Sequence, residues 1–142
     1  MVQKAPTLKG RTIAITRPSG QTDETGEIIQ NKGGVPYFIP TIEIKELTDL
    51  SPITAFIEEL AAGKVDYVIF MSVNGVRHLL SAAKELNQTD KLMQKLRKPV
   101  IVAVGPRTAE ELKAHQIHVN LVPTKYTSEG IAGSLQEFAV AG

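Results

Sequence analysis

VIVAVGPRTAEEL, residues Val100 to Leu112, compresses a strand, a turn and a helix start into one stretch. Val100, Ile101, Val102, Ala103 and Val104 form an unbroken apolar run, as expected of a strand covered on both faces in a parallel sheet. Gly105 and Pro106 end it. Thr108 followed three residues later by Glu111 has the spacing of a capping box, in which each side chain satisfies a backbone N–H at the helix start. The amides left over point out of the carboxyl edge of the sheet, where a partly positive helix terminus favours an anion.

The same order recurs on both sides of this junction. Val65 to Phe70 reads as a strand that runs into Met71-Ser72-Val73-Asn74-Gly75 and then a helix carrying Val76, Leu79 and Leu80. Asn87 to Lys98 places Leu92, Met93 and Leu96 on one face of a short amphipathic helix. Val119 to Val122 is a further short strand, and Pro123 to Gly130 turns into a last helix with Ile131, Leu135 and Phe138. Ser51-Pro52 opens a helix in the order cap then proline, with Ile53, Phe56, Ile57 and Leu60 at helical spacing. Nearer the start, Thr12 to Thr16 is a strand, Thr22 to Lys32 a helix ended by Gly33 and Gly34, and Val35 to Ile39 a second strand. Gly26, inside that helix, costs about 1 kcal/mol against alanine. The alternating Thr41-Ile42-Glu43-Ile44-Lys45 reads as a half-exposed strand or ribbon. Strand and helix in alternation predict an α/β fold, a Rossmann-like or flavodoxin-like parallel sheet flanked by helices.

A chain of 142 residues suits one compact domain, and two complete domains would be a squeeze. The net charge of +1 offers no bulk attraction to nucleic acid or to an anionic membrane, so any anion must be captured locally. Absence of cysteine excludes disulfides, thiolate catalysis and cysteine-ligated metals. MVQKAPTLKG lacks the apolar core of a signal peptide, and no run approaches the roughly 20 apolar residues of a membrane span. These features predict a protein of the cytoplasm with no nucleic-acid or membrane partner.

Motifs for strong chemistry are sparse. His78, His115 and His118 have no partners at metal-ligand spacing, so no metal is assigned. Ser72 lacks the G-x-S-x-G elbow and is better read as a capping or ligand-bonding hydroxyl than as a nucleophile. Neither G-x-G-x-x-G nor G-x-x-x-x-G-K-[ST] is present, and the end of the first strand holds Thr16 and Arg17 where a phosphoacceptor domain needs acids. Four turns remain: Arg17 to Gly20, Ser72 to Gly75, Gly105 to Thr108 and Tyr126 to Gly130. Each alone is adequately explained as a helix cap. Together they line the carboxyl edge, where open α/β sheets bind ligands, with Arg17, Arg77, Arg107 and Lys125 as added charge.

TIAITRP at Thr12 to Pro18, DYVIFMSVNGV at Asp66 to Val76, VAVGPRTAEEL at Val102 to Leu112 and LVPTKYTSEGIAGSL at Leu121 to Leu135, in this order, resemble the uroporphyrinogen-III synthase family. The resemblance covers nearly the whole chain but only the first half of a typical member, which has two similar α/β domains joined by a two-stranded ladder. It implies a cofactor-independent lyase of haem biosynthesis that takes the linear tetrapyrrole hydroxymethylbilane. The enzyme removes water and closes the ring with the last pyrrole inverted, through a spiro intermediate. Because that substrate cyclises unaided to the uninverted isomer, the protein mainly enforces geometry and stabilises developing charge.

The resemblance carries substrate binding onto Thr16, Arg17, Ser72, Asn74, Gly105, Thr108, Tyr126, Thr127 and Ser128. No catalytic residue is assigned. The family's tyrosine on the second-half return segment has no counterpart here; the first-half segment is Phe38-Ile39-Pro40-Thr41-Ile42, with Tyr37 beside it. Family topology divides the chain into a tail at 1–11, a strand-helix-strand unit at 12–39, an interdomain ribbon at 40–50 and a larger unit at 51–139. It also implies how half a protein completes a cleft: two copies exchange these units in a domain-swapped homodimer. A single doubly wound monomer, a non-catalytic tetrapyrrole- or carboxylate-binding or regulatory module, and an inactive half-length piece are the alternatives.

Overall fold

The computed structural model describes residues 7–18, 23–43, 45 and 47–138. The chain forms two compact units, Met1–Glu46 and Leu47–Gly142. Most of the expected tail, Ser19 and Gly20 of the first turn, Thr22, Ile44 and the end of the chain from Ala139 lie outside the described residues.

In the first unit, strand β1 (Thr12–Ile15) pairs in parallel with β2 (Val35–Phe38), and helix α1 (Asp23–Asn31) makes the crossover. Gly33 ends α1 at φ +73°, donating to Gln30 O while Gly34 donates to Ile29 O, the paired bonds of a Schellman motif. Ile15 and Ile29 form the buried centre. The helix-interior Gly26 has a packing reason: a Cβ there would stand 2.8 Å from Cζ of Phe38. The Thr41 to Lys45 ribbon is not borne out, because no described residue of that segment belongs to a strand. Thr41 instead ties back to the end of β1, with both its N–H and its hydroxyl donating to Thr16 O.

The second unit runs α2 (Ser51–Ala61), β3 (Tyr67–Phe70), α3 (Val73–Glu85), α4 (Thr89–Lys95), β4 (Val100–Ala103), α5 (Pro106–Ala114) and α6 (Ser128–Glu137). β3 and β4 are parallel, with Tyr67 opposite Val100 and Phe70 opposite Ala103. The far side of β4 bonds to the chain at Leu121, so β4 is central. Its Ile101, Val102 and Ala103 are buried, as the apolar run requires. The Val119 to Val122 strand shrinks to that single bridge. A core of Ile57, Leu60, Phe70, Val76, Leu92, Ile101 and Leu112 joins α2 through α5 to the sheet.

Two helix starts differ from the sequence reading. Ser51 does not cap α2; it is the first helical residue, and the Asp49 carboxylate accepts from its N–H at 2.9 Å and its hydroxyl at 2.6 Å. Those bonds hold the Asp49 carboxyl below its ordinary range. The Thr108/Glu111 capping box does not form, because α5 begins earlier, with Gly105 at the cap and Pro106 in the first turn. Proline's fixed φ favours that position. Thr108 is therefore inside the helix, only 4% exposed on its inward face.

Candidate functional site

In the second unit the parallel register brings the starts of α3, α5 and α6 to the carboxyl edge of the sheet. Each start presents N–H groups and the positive end of a helix dipole. Ser72 caps α3 in extended conformation, its Oγ accepting from Gly75 N–H at 3.0 Å. Thr127 does the same for α6, its Oγ1 accepting from Gly130 N–H at 3.1 Å. Both hydroxyl oxygens are partly committed as acceptors; the Ser72 O–H keeps a proton to donate, whereas the Thr127 O–H is directed to the Glu129 carboxylate.

Gly105 and Tyr126 are brought together. A Cβ on Gly105 would come within 3.3 Å of Cγ of Tyr126, whose ring is 61% exposed above the β4–α5 junction. Gly105 itself is buried, and its lack of a Cβ leaves room for the base of the Tyr126 side chain against the backbone. Asn74 sits half-buried in the first turn of α3 and Ser128 opens α6, exposed. Thr108 is buried, at 4% exposure, and is withdrawn from solvent. Thr16 and Arg17, both exposed, follow β1 in the other unit.

The α6 start already holds a carboxylate. Glu129 is held below the ordinary glutamate range, first by its own backbone N–H and then by the Thr127 hydroxyl. Charge is also distributed differently from the sequence expectation. Arg77 makes a bidentate pair with Glu111, at 2.8 and 2.9 Å, joining α3 to α5. His115 Nε2 stands 3.4 Å from the same carboxylate. No spacing signal announces this pair, which spans 34 positions in sequence.

Arg77 is the main cause holding the Glu111 carboxyl low, with a smaller contribution from His115. A depressed folded-state pKa adds stability above the unfolded-state value, and that stability is lost as pH falls through the folded value. Arg77→Gln is therefore expected to melt below the wild type at neutral pH, with the gap closing on acidification past the ordinary glutamate value. Melting curves across pH 3 to 7 test this; the gap is small, because Arg77 is 63% exposed. A gap that stays constant with pH would contradict the pairing.

Cavities of about 470 Å³, between α3 and α4 beside His115, and about 390 Å³, at the beginning of β4, lie in the same unit. Neither is lined by a residue of the three helix starts. Among the described residues no three His, Cys, Asp or Glu side chains are grouped to hold a metal ion. No helix of the described residues is long and apolar enough to cross a membrane.

Residues 23–142 match the family model described as uroporphyrinogen-III synthase HemD. A protein of Methanothermobacter thermautotrophicus named "Putative uroporphyrinogen-III synthase" is 35% identical over 133 residues, covering 92% of this chain and 48% of the relative. The chain thus spans about half the length of the curated relatives it matches. A crystal structure of a mutant uroporphyrinogen III synthase from Thermus thermophilus aligns with a TM-score of 0.65 at 22% identity, over 88% of this chain and 47% of that one. The Helicobacter pylori uroporphyrinogen-III synthetase structure aligns at 0.58 and 16% identity, over 90% and 54% of the two chains. These likenesses support the α/β fold of short parallel strands and flanking helices, while the family match extends over most of the sequence. The chain belongs to the uroporphyrinogen-III synthase family.

Proposed function

We propose that this chain acts in the cytoplasm, without a cofactor, in the cyclising dehydration of hydroxymethylbilane to uroporphyrinogen III. The observation that carries the reading is the clustering of the α3, α5 and α6 starts at one sheet edge, with the Glu129 carboxylate already held by the last of them. A linear tetrapyrrole bears carboxylate arms along its length, and backbone amides and hydroxyls at helix starts bind such groups without a basic protein. Ser72, Asn74, Gly105, Tyr126, Thr127 and Ser128 supply one wall, and Thr16 and Arg17 belong to the opposing one; Thr108, expected from the sequence to join them, faces the core of the second unit and lends the wall no side chain. Fixing the arms fixes the terminal pyrrole, which selects the inverted closure over the spontaneous one.

The opposing wall comes from a second copy. The first unit is small, and Val35, Tyr37, Phe38 and Ile39 are 51%, 59%, 46% and 42% exposed on and after its edge strand. An isolated two-stranded sheet is marginal in water. Exchange of the 12–39 and 51–139 units across the 40–50 linker, in a two-fold dimer, covers that surface and completes a Rossmann-like sheet in each half.

The test supplies hydroxymethylbilane enzymatically in situ, separates the ring isomers and measures mass by light scattering on the same sample. The expected result is a dimer whose product is enriched in the inverted isomer. An isomer ratio equal to the protein-free control refutes catalysis by this chain and favours the non-catalytic binding reading, and a monomer at micromolar concentration refutes the exchange.

A further inference from the structure

At the amino end of β4, opposite the edge that carries the helix starts, the α4–β4 and α5–Leu121 connections enclose the cavity of about 390 Å³. Its floor is apolar: Leu96, Ile101 and Ile117 are 3%, 1% and 4% exposed. Its rim carries the cations of Arg97 and Lys98 beside the imidazole of His118, all three exposed. Among the described residues no acidic residue lines it and no salt bridge engages these three side chains. That concentration of charge is local, since the whole chain carries only +1.

Amide donors complete the rim. Asn120 is locked to the second residue of β4: its N–H donates to Ile101 O and its Oδ1 accepts from Ile101 N–H, both at 2.8 Å. With Oδ1 committed, the side-chain NH₂ is the group left to donate. Gln116, also lining the cavity, holds φ +61° where helix α5 ends, donating to Lys113 O while Ile117 donates to Leu112 O. This Schellman ending drives Ile117 into the floor and leaves the Gln116 side chain at the rim.

We propose that this cavity is a binding site for a small organic anion, an apolar body lying on Leu96, Ile101 and Ile117 with its carboxylate or phosphate among Arg97, Lys98, His118 and Asn120. The volume falls within the range of small-molecule pockets, and an apolar floor with a few convergent polar groups is their usual make-up. Two exposed cations and a fixed amide suit a single anionic head; the buried floor rewards an apolar body that inorganic anions lack. The site is independent of the cyclisation reading, because it shares no residue with the carboxyl edge.

Amide-resolved NMR of the full chain, titrated with 2-naphthyl phosphate, 2-naphthoate, 2-naphthalenemethanol and inorganic phosphate, tests it. Saturable shifts are expected at Arg97 to Ile101 and Gln116 to Asn120 with one or both naphthyl anions. The tighter of the two identifies the head group. The neutral alcohol and inorganic phosphate are expected to bind at least tenfold more weakly. Arg97→Gln/Lys98→Gln is expected to weaken the naphthyl anion at least tenfold with an unchanged melting temperature, since both side chains are exposed. Shifts confined to Ser72, Gly105 and Thr127, equal binding of inorganic phosphate, or undiminished binding by the double variant would each overturn the proposal. A short DNA duplex that moves the same resonances at lower concentration than the naphthyl anions would also overturn it, in favour of a nucleic-acid surface.

Discussion

Leu112→Ala is expected to lower the unfolding free energy of the second unit by about 3 kcal/mol, within the 2–5 kcal/mol range of leucine truncations in packed cores. Leu112 is 0% exposed and belongs to the cluster that joins α5 to β4 and the neighbouring helices. It shares the inward face of α5 with Thr108 and Ala109, and its carbonyl accepts from Ile117 N–H at the helix end. Truncation therefore removes apolar contacts on the helix that holds Gly105 at the sheet edge. Urea unfolding beside Lys113→Ala, at the adjacent exposed position, isolates the burial term, because the control is expected to change stability by no more than about 0.5 kcal/mol. Equal midpoints for the two variants would mean that α5 does not pack as described.

The central strand was legible because burial on both faces leaves a signature no surface element shares: Val100 to Val104 contain no polar side chain. The end of α1 was legible at Gly33 and Gly34, since a left-handed residue after a helix favours glycine. The start of α5 was misread for a physical reason. Thr-x-x-Glu places two polar groups one turn apart, and that spacing serves a cap or a helix interior equally well. Pro106 fixes the earlier start, after which Thr108 faces the core and Glu111 faces Arg77. At α2 the serine was visible but its role was not, because the Asp49 carboxylate two residues upstream takes both the N–H and the hydroxyl of Ser51, which turns a capping side chain into a donor at the first helical position.

The candidate edge was legible as a set of turns and illegible as a set of contacts. Parallel pairing places the turns after β3 and β4 at one edge, which alternation of strand and helix already implies. What each side chain does there depends on partners remote in sequence. Tyr126 covers Gly105, and Arg77 is drawn to Glu111, away from the role of edge charge. The rim of Arg97, Lys98, His118 and Asn120 went unnoticed for the same reason, because two separate loops contribute to it.

Gly130→Ala is expected to destabilise the start of α6 by roughly 2–3 kcal/mol, as overpacking against a fixed backbone does. Helix propensity alone predicts the opposite sign, since alanine is favoured over glycine by about 1 kcal/mol in a helix interior. The reason is the tight turn that enters α6: a Cβ on Gly130 would run into the Lys125 carbonyl oxygen and lie 2.8 Å from its carbon. Backbone cannot rotate away as a side chain can, so the Lys125 to Gly130 segment must shift, weakening the Thr127 cap on Gly130 N–H and the hold on Glu129. Gly133, one turn further along the same helix, has nothing within 4 Å of its own Cβ position. Gly133→Ala is accordingly expected to stabilise by about 0.5–1 kcal/mol. Hydrogen exchange at the Ile131 amide, which donates to Thr127 O, reads both variants in one helix: faster in the first and no faster than wild type in the second. Slower exchange in both variants would assign both effects to propensity and remove the constraint that aims the α6 amides at the sheet edge.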